Sequence, residues 1–390
     1  MTSTFSPDFS AESAAAAILG GTVLGTVAMT KLRTNGTVLG VSGLVGGLVK
    51  KGARASPDAP ERLAFLAGLF TAGTALATVL PQALGAPNVA AAWSASNLLR
   101  FGTAGFFVGF GTARGNGCTS GHGIMGNARM TLRSFTATCT FMAAGMATAS
   151  VTRTSAWRKL LAAPPVTTCV LFADQFPPPV PASAASALAL AATFAGVVVV
   201  SLALLLPKKS SSRSSSSEKS EGGDDVSASD KAAGAPARRA VAGASGLFFG
   251  LALGLAGMVN PARVAGFLDL SGGLGTWDPT LGLVMGGALG LSLPIFRAWA
   301  PGGVDAPHAP PHAAISYGLP SRQAKPDFKL VSGAAMFGCG WGLAGLCPGP
   351  SLVALGGILG GGSAAGLMAN APLLIFNAAM FAGWATHHRS

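Results

Sequence analysis

The sequence predicts an all-α, polytopic membrane protein built on an internal repeat, and three observations carry that prediction. Half of the 390 residues are hydrophobic and only 10% are charged, whereas about a quarter of a soluble domain is charged. The 55 glycines fall inside apolar runs rather than in linkers, which is the usage of membrane helices whose backbones approach closely. Broken apolar segments of the same character recur, in the same order, in the two parts of the chain.

Apolar stretches near the ~20 residues needed to cross a bilayer lie at 14–30, 63–80, 97–113, 132–152, 184–206, 240–257, 279–299, 330–345 and 366–386. About nine transmembrane helices are therefore expected. Four further apolar pieces, 37–49, 119–128, 262–270 and 351–361, are too short to span. Each follows a helix that stops at a polar or Gly/Pro break, so each is read as a short re-entrant helix. Such a break survives at membrane depth only where it is buried in protein or lines a watery cavity. Residues 207–239 are Ser-rich and charged and lack apolar periodicity, which predicts a disordered linker. The linker divides the chain into an N-terminal membrane half, 1–206, and a C-terminal membrane half, 240–390.

The two halves resemble each other. Early in each comes a Gly-spaced helix, a break and a short helix: GGTVLGTVAMTKLRTNGTVLGVSGLVGG, then GASGLFFGLALGLAGMVNPARVAGFLDL. Later comes a second such unit: FFVGFGTARGNGCTSGHGIMG, then AAMFGCGWGLAGLCPGPSLVALGG. Cys118 and Cys347 keep nearly the same separation as the breaks near Asn35 and Asn260, which argues for a repeat. Discontinuous helices in an inverted-type repeat are a transporter signature. They place the site where the central loops of the repeats meet.

A net charge of +12 in a soluble protein would suggest nucleic acid. Here the basic residues sit in short segments between apolar runs, so no nucleic-acid partner is expected and the lipid bilayer is. With the N-terminus outside, the inner segments carry Lys31, Arg33, Lys50, Lys51, Arg62, Arg114, Arg129, Arg133 and the basic residues of the linker. The outer segments carry Arg153, Arg158, Lys159 and Arg263. This asymmetry predicts an integral protein of the cell (plasma or inner) membrane, with the linker and C-terminus cytoplasmic. Residues 1–13 are polar and lack a basic n-region, so no signal peptide is expected. Arg100, inside an apolar stretch near its outer end, is expected to snorkel to the interface.

The chemistry sits at the breaks. Pro348 and Pro350 remove backbone donors in GLCPGPS, and each biases its preceding residue away from the helical region. A short helix that starts there offers unpaired N–H groups and the positive end of its dipole. Glycines such as Gly117 and Gly349 let a ligand touch that main chain. Neither Cys-bearing break holds a carboxylate, and Arg114 stands close to Cys118, so an anion is favoured.

A thiol is a soft, weak donor. It suits phosphate or sulfate poorly and suits an anion with an exposed sulfur. Cys118 and Cys347 on related breaks could hand such an ion along by successive S–H to S contacts, and weak multi-site binding is what conduction needs. Thr119, Ser120, His122 and Ser351 flank them. His122 either tunes Cys118, binds the ion or caps loop carbonyls. Cys339 lies about two helical turns before Cys347 and could face the same path. Cys139 and Cys169 are read as packing. The cysteines form no CxxC pair, so neither a metal nor a cofactor is expected. Two alternatives stand beside this reading: a channel for another small anion, and a membrane thiol or sulfurtransferase enzyme using Cys118 or Cys347 as nucleophile. No neighbouring base or resolving cysteine supports the enzyme, so none is expected.

GNGCTSGHG and GLCPGPS, together with NGTVLGVSG and MVNPARVAGFLD followed by WDPTLGLVMGG, resemble motifs of the YeeE/YedE family of sulfur transporters, the thiosulfate-uptake proteins. The likeness covers nearly the whole chain except the termini and 207–239, and the chain looks like a fusion of two half-proteins. The resemblance implies nine spanning helices, four short helices and four loops dipping to the centre. It implies thiosulfate import, with pore cysteines that map to Cys118 and Cys347. A cytoplasmic sulfur-acceptor protein completes the expected partners. Met125 departs from the pattern, standing where relatives of the GCTSGHG type often carry a further cysteine. A thioether cannot donate, so no third relay thiol is expected there.

The assigned orientation has a direct check. In sealed vesicles the 207–239 segment should be cut by protease added to the cytoplasmic face only; cutting from the opposite face alone would reverse the topology.

Overall fold

The computed structural model describes residues 10–79, 95–153, 235–273, 277–300, 317–361 and 370–389. Among them the regular elements are helical, with one isolated bridge between Thr37 and Gly318. In chain order the helices are α1 (Ala11–Asn35), α2 (Val41–Gly46), α3 (Ala59–Val79), α4 (Ala95–Arg114), a π-helical segment (Thr119–Gly126), α5 (Leu132–Arg153), α6 (Ala235–Leu255), α7 (Pro261–Leu268), α8 (Thr280–Trp299), α9 (Phe328–Ala344), α10 (Pro348–Gly360) and α11 (Ala371–His387). Short 3-10 turns at Gly47–Val49 and Ala53–Ala55 link α2 to α3.

Every predicted long stretch except 184–206 carries a long helix, and all four short pieces are helical. The 184–206 stretch and residues 207–234 lie outside the described residues. The helix that follows begins at Ala235, inside the stretch read as linker. Alanines and arginines there are strong helix formers, and Pro236 falls in the first turn, where its missing N–H is harmless.

Helices α1, α3 and α8 are each long and apolar enough to cross a membrane. Helices α9 and α10, bent by 43° at their break, make a fourth if counted as one span. Caps set several ends. Ser10 and Ser13 form a capping box at the start of α1. Asp327 accepts from Leu330 N at 2.8 Å to open α9. That N–H, with Arg133 nearby, holds the Asp327 carboxyl below the usual range.

The contacts obey a two-fold rule. Helix α1 packs on α8 as α6 packs on α3, and α4 packs on α11 as α9 packs on α5. Helix α1 also meets α6, and α4 meets α9. Exchanging α1 with α6, α3 with α8, α4 with α9 and α5 with α11 returns the same set. The equivalent helices run antiparallel. Arg100 near the start of α4 reaches Leu343 at the end of α9, whereas Arg114 at the end of α4 donates to Ser332 near the start of α9. Likewise Gly20 lies against Ala252 and Ala256 near the end of α6, and Asn35 donates to Arg238 O at its start.

Glycine makes these approaches. A Cβ on Gly21 would lie inside the carbonyl of Val284, and one on Gly246 inside that of Phe65. On the other diagonal, Gly109 meets the Met380 carbonyl and Gly338 the Phe141 carbonyl. These are backbone-to-backbone contacts of the small-residue kind found between membrane helices.

Much of the charge collects at one end of this bundle. Glu61 pairs with Arg238 at 2.7 Å, and Arg133 pairs with Asp327 at 3.4 Å. Arg129 donates to Pro320 O there. The opposite end holds the Arg263–Asp278 pair at 3.8 Å. The breaks after α1 and α4 begin at the first end, those after α6 and α9 at the second.

Gly109→Ala is expected to destabilise the fold by about 1–3 kcal/mol, the usual effect of overpacking. Gly286→Ala, whose added Cβ meets nothing within 4 Å, should be neutral or stabilising by about 0.5–1 kcal/mol. Thermal unfolding in detergent separates the two; equal effects would mean that α4 and α11 do not touch at Gly109.

Candidate functional site

Four helices each stop at a residue in the left-handed region: Gly36 (φ 70°), Asn116 (φ 55°), Gly257 (φ 70°) and Gly345 (φ 67°). Asn is the non-glycine residue that tolerates this conformation best. Two residues after Asn116 comes Cys118, and two after Gly345 comes Cys347. Their backbones match closely: Cys118 has φ −124°, ψ −166°, and Cys347 has φ −117°, ψ 171°. Each cysteine is the N-cap of the short helix that follows, and neither side chain caps it. The first amides of the π segment are thus uncapped by side chain, while α10, with Pro348 and Pro350, offers only the Gly349 amide in its first three positions.

The two cysteines share one cavity. It is lined from all four breaks: Val41 of α2, Cys118, Thr119 and Ser120 of the π segment, Met258 and Val264 around α7, and Cys347, Gly349 and Pro350 of α10. Thr119 Oγ1 donates toward Cys347 Sγ at 3.8 Å, and Cys118 Sγ lies 3.2 Å from Ser120 Oγ. Cys118 is 2% exposed. The remaining wall is apolar, and no charged side chain lines it among the described residues. Its volume of about 50 Å³ compares with roughly 10–15 Å³ for one water by the same measure. A few waters or one small ion fit.

Of the other candidate residues, Ser120 and Gly349 line the space, whereas His122, Gly117 and Ser351 lie behind it. His122 is buried, with Nε2 3.1 Å from Gly115 O and Nδ1 3.0 Å from Ser134 Oγ. A carbonyl only accepts, so Nε2 carries the proton, and Ser134 then donates to Nδ1. Of the three roles considered, His122 takes that of capping loop carbonyls: it ties down the end of α4 just before Cys118. Gly117 makes room for it, since a Cβ there would sit 2.6 Å from the ring. Ser120 Oγ accepts from Val41 N at 3.1 Å and caps α2, whose own N-cap, Gly40, has no side chain to do so. Ser351 Oγ donates to Pro348 O at 3.1 Å and stiffens the first turn of α10.

Cys339 is half-buried and does not line the cavity. Counting helical turns from Cys339 to Cys347 fails because α9 ends at Ala344 and the chain bends at the left-handed Gly345 before α10 begins. Trp341, about 200° around the helix from Cys339, faces the cavity instead. Arg100 does not snorkel: its Nε donates to Leu343 O at 2.6 Å, capping the end of α9 just before Cys347. Arg100 and His122 thus do the same work on the two related breaks. Met285, Trp341 and Phe249 also line the cavity. Met285 falls in the WDPTLGLVMGG motif, the one signal that pointed to it; the others sit in apolar helices where packing explains them equally well.

Residues 240–388 match the model of a family described as a family of unknown function, DUF6691. A protein of Xylella fastidiosa strain 9a5c, named a probable transporter, is 39% identical over 152 residues, covering 39% of this chain and 90% of the relative. A second probable transporter, from Xylella fastidiosa strain Temecula1, is 42% identical over 133 residues, covering 34% of this chain and 90% of the relative. No solved structure matches the chain. The chain belongs to the family that these relatives form.

His122→Ala removes the donor to Gly115 O and leaves that carbonyl without the ring. A loss of about 1–3 kcal/mol is expected, read as a lower unfolding midpoint in detergent. His122→Gln, which keeps an N–H at similar reach, should recover part of it. No loss in His122→Ala would show that the ring does not hold the break.

Proposed function

We propose that this protein is a membrane transporter that imports thiosulfate or a related inorganic sulfur anion through the central cavity, with Cys118 and Cys347 as relay thiols. The observation that carries the reading is the meeting of these two cysteines. They lie far apart in sequence, on equivalent breaks that enter from opposite ends, and they line one space. A site of this kind at a repeat interface is reachable from either side in turn. The relatives' name of probable transporter supports transport. The motif likeness to the YeeE/YedE thiosulfate-uptake proteins supports the substrate.

The same reading takes the chain as an inverted repeat of about nine spans and four re-entrant helices, N-terminus outside. The antiparallel pairing of equivalent helices and the basic residues gathered at one end support it. A relative covered to 90% by about two fifths of this chain supports a fusion of two half-proteins. A soft, apolar wall with thiols and no fixed cation favours an anion with an exposed sulfur over sulfate. Weak holding also lets the ion leave toward a cytoplasmic acceptor. Both ring nitrogens of His122 are engaged elsewhere, so no imidazole is paired with Cys118 as a base, and this favours relay over a thiol enzyme.

In proteoliposomes, thiosulfate uptake should fall by at least about tenfold in Cys118→Ala and in Cys347→Ala, the loss of one hydrogen bond to a charged group. Cys139→Ala, at an exposed position outside the cavity, should be close to wild type. Full uptake by the Cys118→Ala, Cys347→Ala double variant would end the relay.

A further inference from the structure

Trp341 is 2% exposed, and its indole Nε1–H has no hydrogen-bond partner. Buried donors without partners are few in folded proteins, and each calls for a reason. Other indoles of the chain are satisfied: Trp277 donates to Phe267 O at 2.8 Å and Trp384 to Thr112 Oγ1 at 3.0 Å. Trp341 differs from these two in lining the cavity that holds Cys118 and Cys347.

The neighbours of the ring fix its orientation. It stacks on Phe337 with centroids 5.9 Å apart and planes 12° from parallel, and it meets Phe141 edge-on at 5.9 Å. Its Cε3 edge lies toward Gly145 of α5. The nitrogen is on the opposite long edge of an indole, so the N–H is turned away from α5. The other polar side chains of the wall are occupied: Ser120 with Val41 N and Cys118, Thr119 with Cys347.

We propose that the Trp341 indole N–H donates to an oxygen of the transported anion while the Cys118 and Cys347 thiols face its terminal sulfur. This rests on the transport reading above and adds the hard half of the recognition. An anion with one sulfur end and several oxygens needs both kinds of contact, and the thiols alone supply only the soft one. A neutral donor in an apolar wall holds an anion firmly enough to select it, because the low dielectric strengthens the bond. Having no charge of its own, it does not trap the ion. Sulfate meets the N–H and lacks the terminal sulfur, whereas hydrosulfide meets the thiols and lacks the oxygens.

The test is uptake of labelled thiosulfate by proteoliposomes of the full chain, wild type against Trp341→Phe. The variant keeps a six-membered aromatic ring beside Phe337 and Phe141 and removes the pyrrole edge that carries the donor. KM should rise by about tenfold or more, the worth of one hydrogen bond to a charged group, while the maximal rate stays near wild type. An unchanged KM, with wild-type uptake intact, overturns this assignment and leaves the transport reading standing. Absence of uptake by the wild type overturns both. A second measurement needs no variant. In detergent-solubilised wild-type protein with nitrogen-labelled tryptophan, one indole N–H resonance should move downfield as thiosulfate is added. If none moves, the assignment fails even where Trp341→Phe does not fold.

Discussion

A helix that ends inside an apolar bundle must find donors for its last carbonyls, because neither lipid nor packed side chains will hydrate them. This protein meets that requirement at four ends. A left-handed residue turns the chain at each, and at the two cysteine-bearing ends a cationic or ring N–H comes in from elsewhere: Arg100 to Leu343 O, and His122 to Gly115 O. With the carbonyls satisfied from outside, the following cysteine is free of any capping duty. Its side chain lines the cavity, together with Gly349 at the start of α10.

Glycine contacts decide how close those ends come. Where Gly21, Gly109, Gly246 and Gly338 let helix backbones touch, the long helices leave little room between them. The cavity that results is small and mostly apolar. Such a wall repels strongly hydrated ions, since their water is not replaced. Among its few polar groups are the thiols of Cys118 and Cys347 and the hydroxyls of Thr119 and Ser120. Charged pairs such as Glu61–Arg238 and Arg133–Asp327 sit at one end of the bundle and Arg263–Asp278 at the other, away from the cavity.

The helices, their breaks and the pairing of GNGCTSGHG with GLCPGPS were legible in the sequence, because apolar run length and Gly/Pro punctuation are local signals. So was the shared character of Cys118 and Cys347, each at a point where a helix cannot continue. Cys339 misled because turn-counting assumes an unbroken helix, and α9 stops between it and Cys347. Arg100 misled because its acceptor, Leu343 O, lies in the other half and is a backbone atom that no side-chain pattern announces. His122 could be given three roles from its neighbours alone. Only the positions of Gly115 O and Ser134 Oγ reduce them to one.

By itself, then, the sequence determined the all-helical class, the duplicated layout and the spots where the chain bends, all of which follow from hydrophobic spacing and backbone chemistry within a few turns. Tertiary structure alone decided that the two thiols meet, that Trp341 joins them with an unspent N–H, and that Arg100 and His122 serve as clamps. Those relations join residues from opposite halves, or depend on which face of a helix is turned inward. Those between the halves are settled when helices close on one another, and the His122 contact with Gly115 is settled when the break itself folds back.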